Sequence, residues 1–100
     1  MRALTEAETK HHVAEIAERG YSIVEDAFDA DFARRLMEEF EHLDRIRPGG
    51  DIPPAPFVGF VTRRWFDVLN DGDIWQQVAV QATIMNVLPH VLGEGFLLST

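Results

Sequence analysis

His42 and Asp44 are separated by one residue, which is the H-x-D spacing by which a histidine and a carboxylate can ligate non-haem iron from one strand. The surrounding sequence predicts a helix instead, because apolar residues recur at intervals of four, four and three: Phe32, Leu36, Phe40 and Leu43. Leu43 then lies on the apolar face, and His42 and Asp44 flank it toward solvent. This periodicity favours a solvated helix surface over an iron site.

His11, His12 and Glu15 are close enough on a predicted helix to share a metal ion, since residues three and four apart are neighbours. Tight sites need three or four convergent ligands, so an exposed polar face is the better interpretation. His90 stands beside Pro89 near a predicted helix end, where a cation interacts favourably with the last carbonyls. Capping is favoured over metal ligation there.

Arg63 and Arg64 are followed directly by Trp65 and Phe66. Two adjacent cations point in different directions on any regular element, so one can enter an apolar pocket while the other stays in water. The alternative is a surface arginine stacked on an aromatic ring. Both interpretations remain open from the residues alone.

Other short motifs point to no known chemistry. Asp29 and Asp31 lack the glycine and the glutamate that a calcium loop needs in register, so they are helix-start charges. Gly93 and Gly95 would lead from a helix to a strand, the reverse of the order in a dinucleotide-binding loop. The sequence contains neither a phosphate-binding loop nor a serine-nucleophile motif.

The composition excludes several classes of partner. Seventeen acidic and nine basic residues give a net charge of −8, which disfavours nucleic-acid binding, and no basic amphipathic face indicates a membrane surface. There is no cysteine, no leader-like apolar segment and no apolar run of bilayer length. We therefore expect a cytoplasmic protein with a small-molecule partner; the sequence leaves the oligomeric state open.

The first half of the chain predicts a helix, a strand and a second helix. Thr5 and Glu8 form a capping box at the start of the first helix, and Gly20 is placed to end it. Residues Tyr21 to Asp26 have the alternation of a short strand. Asp29 is the expected N-cap of a helix from Ala30 to Arg45 or Ile46.

The second half begins with an irregular, proline-rich loop from Arg47 to Pro56. We predict a brief strand from Phe57 to Val61, then a helical turn or short helix from Arg63 to Leu69. Asp73 is the expected cap of a further helix.

A last apolar helix is expected to contain Pro89 and to end at Gly93. Residues Phe96 to Thr100 have the pattern of a final strand. A strand without a partner leaves its backbone groups unpaired, so we expect this chain to be the N-terminal part of a longer protein. The mass of 11.4 kDa fits one domain or part of one, over residues 1–100. A compact globule of this mass exposes roughly 5,800 Å².

The order of these segments resembles the N-terminal part of the phytanoyl-CoA dioxygenase family, whose members are iron(II)- and 2-oxoglutarate-dependent oxygenases. The resemblance covers nearly all of the chain, and the matching segments are LTEAETKHHVAEIAERGYSIVEDAFD, DFARRLMEEFEHL, TRRWFDVLNDGDIWQQV and NVLPHVLGEGFLLST.

The resemblance implies an α+β fold: the N-terminal helical and strand part of a double-stranded β-helix (jelly-roll, cupin-like) oxygenase, with most of the barrel absent from this chain. It implies hydroxylation of a small-molecule substrate with Fe(II) and 2-oxoglutarate, with iron ligands beyond Thr100 and no activity for this piece alone. Arg64 falls where the family has a basic residue that meets the co-substrate. The alternative is a free-standing, non-catalytic binding or interaction domain.

Overall fold

The computed structural model describes residues 2–99, and within that range the protein is helical. Four α-helices and one short 3₁₀ helix follow each other along the chain, and no strand forms among these residues. The elements are α1 (Glu6–Arg19), α2 (Ala30–Ile46), the 3₁₀ helix (Val68–Asn70), α3 (Asp73–Ala79) and α4 (Ala82–Leu92).

Helix α1 begins and ends as its sequence predicts. The Thr5 hydroxyl accepts from the Glu8 amide at 3.1 Å, and the Glu8 carboxylate accepts from the Thr5 amide at 3.1 Å, which completes the capping box. Gly20 follows with φ of 84°, and its amide donates to the Ile16 carbonyl at 2.8 Å. The positive φ explains why glycine stands at this position.

Helix α2 carries the central part of the core. The Asp29 carboxylate caps it by accepting from the Phe32 amide at 2.7 Å, which confirms the predicted start. Phe32 and Leu43 are buried on its apolar face, and Leu43 is only 1% exposed. The observed end at Ile46 also matches the predicted boundary.

Helices α3 and α4 follow one another across a tight turn. Asp73 is the first residue of α3 rather than its cap: Gly72 occupies the cap position, and no side chain bonds the first amides. Pro89 lies inside α4, as predicted, and the helix ends at Gly93, whose amide donates to the Pro89 carbonyl at 3.0 Å. The proline ring lacks the amide hydrogen that would otherwise bond the preceding turn.

The helices pack in two pairs. Helix α2 packs on α3, which also contacts the 3₁₀ helix, and these elements enclose a cluster of Phe32, Leu43, Ile74 and Trp75. Helix α1 packs on α4. There the Asn86 side chain accepts from the Leu4 amide at 2.9 Å, and the Thr83 hydroxyl donates to the Arg2 carbonyl at 2.6 Å. These two hydrogen bonds attach the backbone of Arg2 and Leu4 to helix α4.

The predicted α+β jelly-roll part is wrong, because none of the three predicted strands forms among residues 2–99. Residues 21–24 have no regular secondary structure, residues 55–59 make a turn with a single bridge from Ala55 to Gly59, and residues 96–99 are irregular. Thr100, the last residue of the third predicted strand, lies outside the described residues. β-propensity alone does not make a strand, since a strand is stabilised by pairing with a neighbour. Within residues 2–99, no two of these segments pair with each other as β-strands.

The predicted helix from Arg63 to Leu69 is also mostly wrong. Only its end is helical, in the 3₁₀ helix; residues 63–67 form neither helix nor strand, and Asp67 has a left-handed φ of 57°. The Arg64 carbonyl and the Phe66 amide are both bonded to Asp51, so this segment's hydrogen bonds are directed to the loop instead of to a helical turn.

Candidate functional site

Arg47, at the end of α2, connects the proline-rich loop to the segments that follow it. Its guanidinium donates to the Asp51 carboxylate at 3.0 Å and to the Phe66 carbonyl at 3.2 Å, and it also pairs with the Asp71 carboxylate. The Arg47 carbonyl accepts from the Trp65 indole at 3.0 Å. A planar guanidinium with several donors suits such a junction better than a lysine ammonium would.

Asp51 and Gly50 contact the irregular segment, residues 62–67, that carries the two arginines. The Asp51 amide donates to the Arg64 carbonyl at 2.6 Å, and the Asp51 carboxylate accepts from the Phe66 amide at 2.8 Å. Gly50 lies so close that a Cβ atom there would stand 2.7 Å from both the nitrogen and the oxygen of the Arg64 backbone. The backbone of Arg64 is therefore fixed by direct contact with the loop.

Arg63 and Arg64 have different surroundings. The Arg63 guanidinium donates to the Asp44 carboxylate at 2.9 Å, and the other oxygen of that carboxylate accepts from the Gly49 amide at 3.0 Å. Among residues 2–99, the Arg64 side chain is exposed and takes part in none of the ion pairs. One cation is thus neutralised by α2, while the other faces solvent with its donors available.

The H-x-D pair on α2 is arranged as its helical periodicity predicts. His42 is exposed, Leu43 between them is buried, and both oxygens of Asp44 are occupied by Arg63 and Gly49.

The histidines and the glutamate of α1 make separate contacts. His12 Nδ1 lies 2.6 Å from the Ser22 hydroxyl, and Glu15 pairs with Arg19 at 3.3 Å. Within residues 2–99 no three histidine, aspartate or glutamate side chains form a group that can hold a metal ion.

Two carboxylates in the first turns of helices, Glu8 and Asp31, have lowered pKa values. The Thr5 amide, which donates to the Glu8 carboxylate, lowers the pKa of Glu8, and the Arg2 guanidinium at 2.9 Å acts in the same direction. The Arg34 guanidinium, which donates to Asp31 at 2.7 Å, lowers the pKa of Asp31. Both groups are exposed helix-end charges, and their arrangement fits a capping role.

A cavity of about 470 Å³ lies beside this network, between the irregular segment that carries the arginines, the 3₁₀ helix and α3. Its walls include Trp65 and Trp75, the two tryptophans of the chain, together with Phe66. The Trp65 indole is held by its bond to Arg47, and the Trp75 ring packs edge-to-face on Phe40 with ring centres 4.9 Å apart. The cavity and the Arg47 network are therefore one structural unit.

Sequence reasoning found Arg63 and Arg64 but missed Arg47 and Asp51, which position them. The four-residue spacing of Arg47 and Asp51 resembles a helical ion pair, yet it spans a helix end and a proline, where that rule does not apply. Trp65, which follows the arginines and precedes Phe66, could have indicated such a contact. A buried indole N–H usually needs a hydrogen-bond acceptor elsewhere in the chain.

None of the helices described between residues 2 and 99 is both long and apolar enough to cross a membrane. Comparison of the chain with models of protein families, with curated proteins and with solved structures finds no match.

Proposed function

We propose that this chain is the helical N-terminal part of an Fe(II)- and 2-oxoglutarate-dependent oxygenase that hydroxylates a small molecule in the cytoplasm. The sequence resemblance to the phytanoyl-CoA dioxygenases motivates the proposal. In it, the iron ligands belong to a catalytic part outside residues 2–99, and the chain described here contributes co-substrate contacts.

The observation that carries the proposal is the difference between the two adjacent arginines. Arg63 is neutralised by Asp44, whereas Arg64 keeps its donors free on a backbone fixed by Gly50 and Asp51. A guanidinium binds a carboxylate through two parallel hydrogen bonds, and 2-oxoglutarate carries two carboxylates. In this proposal Arg64 binds a carboxylate of 2-oxoglutarate, and Arg63 has a structural role through its ion pair with Asp44.

The test uses the protein as its gene encodes it, loaded with Fe(II) without oxygen and titrated with 2-oxoglutarate in a calorimeter. Arg64→Ala should weaken binding about 10- to 100-fold, the loss of a charged hydrogen-bonded contact. Arg63→Ala is the matched control and should change binding less than about twofold, since Arg63 already has a partner. Equal effects would remove Arg64 from the site, and no binding by the unaltered protein would overturn the oxygenase proposal.

The second candidate function is a non-catalytic interaction domain, and the exposed surface favours it. The chain exposes 7452 Å², about 1,650 Å² more than a compact globule of its mass. Much of this surface is apolar, including Phe57, Phe60 and Val61 in the loop, and Phe57 is 97% exposed. Surface of this extent is comparable to one side of a large protein interface.

The melting behaviour of the 100-residue chain separates the two candidates. A domain that stands alone should unfold in one sharp cooperative transition and should not respond to iron or 2-oxoglutarate. A part of a larger enzyme should unfold broadly at low temperature, because its exposed apolar surface lacks the rest of the protein. A sharp cooperative transition of the 100-residue chain would favour the interaction domain and would contradict a part that needs the rest of an enzyme to fold.

A further inference from the structure

The cavity beside the Arg47 network has the size and lining of a small-molecule site. Its volume of about 470 Å³ lies within the usual range for such sites, roughly 300–1,000 Å³. Most of its wall is apolar, and the wall includes Trp65, Phe66, Trp75, Val78 and Leu98. The apolar wall favours a ligand with an apolar body.

The charge of the lining favours a cation. Among residues 2–99, no lysine, arginine or histidine lines the cavity, and Asp67 is the one ionisable side chain in its wall. The Asp67 carboxylate accepts from the Asn70 side chain at 2.8 Å, which orients it.

The aromatic rings of the lining are held in place before any ligand binds. Trp65 is fixed by the bond from its indole to the Arg47 carbonyl at 3.0 Å. Trp75 is 7% exposed and is packed against Phe40. Rings that are already ordered lose little conformational freedom on binding, and indole is the best aromatic partner for a cation.

We propose that this cavity binds a free small molecule that carries an alkylated ammonium group. The ammonium group is attracted by the tryptophan rings and by the Asp67 carboxylate, and its methyl groups contact the apolar wall. The acidic net charge of −8 adds a general attraction for cations. The site involves neither iron nor 2-oxoglutarate, and it stands whether or not the oxygenase proposal does.

The test compares choline with its uncharged isostere 3,3-dimethylbutan-1-ol, which replaces the ammonium nitrogen with carbon. Because both tryptophans of the chain line the cavity, binding can be followed by their fluorescence and checked by calorimetry. At physiological salt, where surface charges farther apart than about 8 Å are screened, choline should bind at least tenfold more tightly than the isostere. Equal affinities, or no binding of choline at millimolar concentration, would overturn the proposal.

A pair of matched variants separates the site from the general charge of the protein. Asp67→Asn removes the charge but keeps an oxygen for Asn70 and tolerates the positive φ. Asp26→Asn makes the same change at another exposed aspartate with φ of 55°, outside the cavity wall. Choline affinity should fall at least fivefold for Asp67→Asn and stay unchanged for Asp26→Asn. If both variants lose affinity equally, binding is a general charge effect and the cavity is not the site.

Discussion

At the scale of single residues, Gly49 and Gly50 illustrate two different requirements for glycine: a positive φ, and a lack of space for a Cβ atom. Both have positive φ, 77° and 91°, in which a side chain is strained. At Gly49 a Cβ atom would meet nothing within 4 Å, whereas at Gly50 it would stand 2.7 Å from the Arg64 backbone. Only Gly50 is required by contact as well as by conformation.

We therefore expect Gly49→Ala to lower the free energy of unfolding by about 1 kcal/mol, the cost of a left-handed alanine. Gly50→Ala should cost clearly more, because the clash is with backbone, and it should displace the segment that holds Arg64 and Trp65. Urea denaturation gives both free energies, and tryptophan fluorescence reports on the displaced segment. Equal costs for the two variants would mean that the loop does not pack on Arg64 as described.

At the scale of elements, the four α-helices could be predicted from sequence, whereas the predicted strands and most of the predicted helix from Arg63 to Leu69 do not form among residues 2–99. Helix boundaries depend on local signals, and those at Thr5, Gly20, Asp29 and Gly93 end or start helices as expected. A strand depends on a partner that the local sequence does not identify, so the alternating segments after Gly20 and before Thr100 misled the prediction.

The candidate site was only partly predictable for the same reason. The pair Arg63 and Arg64 stood out by composition, but its positioning depends on Asp51, which lies in the preceding loop. Contacts across a loop of irregular structure follow no fixed spacing, unlike those along a helix. The cavity could not be predicted either, since its walls come from three separate segments of the chain, residues 65–69, 75–79 and 98–99.

The capping box of α1 gives a prediction for acid conditions. The lowered pKa of Glu8 means that its charged form is favoured in the folded protein. Its stabilisation is therefore fully present above the ordinary glutamate pKa, about 4.3, and is lost as the pH falls through the lower folded value. Glu8→Gln keeps the cap but removes the charge, so it should flatten this part of the pH dependence of the melting temperature.

Glu18→Gln is the matched control, because it removes one carboxylate charge from the same helix away from the capping box of Thr5 and Glu8. Thr5→Ala should lower the free energy of unfolding by about 1 kcal/mol at neutral pH. An unchanged acid profile for Glu8→Gln would show that the box contributes nothing to the pH dependence.

At the scale of the whole molecule, the two helix pairs differ in what they bury. The α2 and α3 pair encloses aromatic and aliphatic side chains. The α1 and α4 pair buries Leu4 and Val87 beside the polar Thr9 and Thr83. The radius of gyration, 16.1 Å, exceeds the roughly 13 Å of a compact domain of this length, so the molecule is extended.

We expect the α1 and α4 pair to open at lower free energy than the α2 and α3 pair, because it buries less apolar surface. Hydrogen exchange followed by mass spectrometry should show faster exchange in α1 and α4. Val87→Ala should speed exchange in those two helices alone, and Leu43→Ala should speed it throughout. Uniform exchange rates across all four helices would mean that the molecule opens as a single unit.

The fastening of the N-terminal residues to α4 has a consequence for synthesis on the ribosome. The bond from the Leu4 amide to Asn86 joins residues 82 positions apart. At about 5 to 20 residues per second, the ribosome needs roughly 4 to 16 seconds to add that many residues. During that interval α1 has no α4 to pack on, and its apolar residues Val13 and Ile16, which are partly buried in the folded protein, are accessible to chaperones.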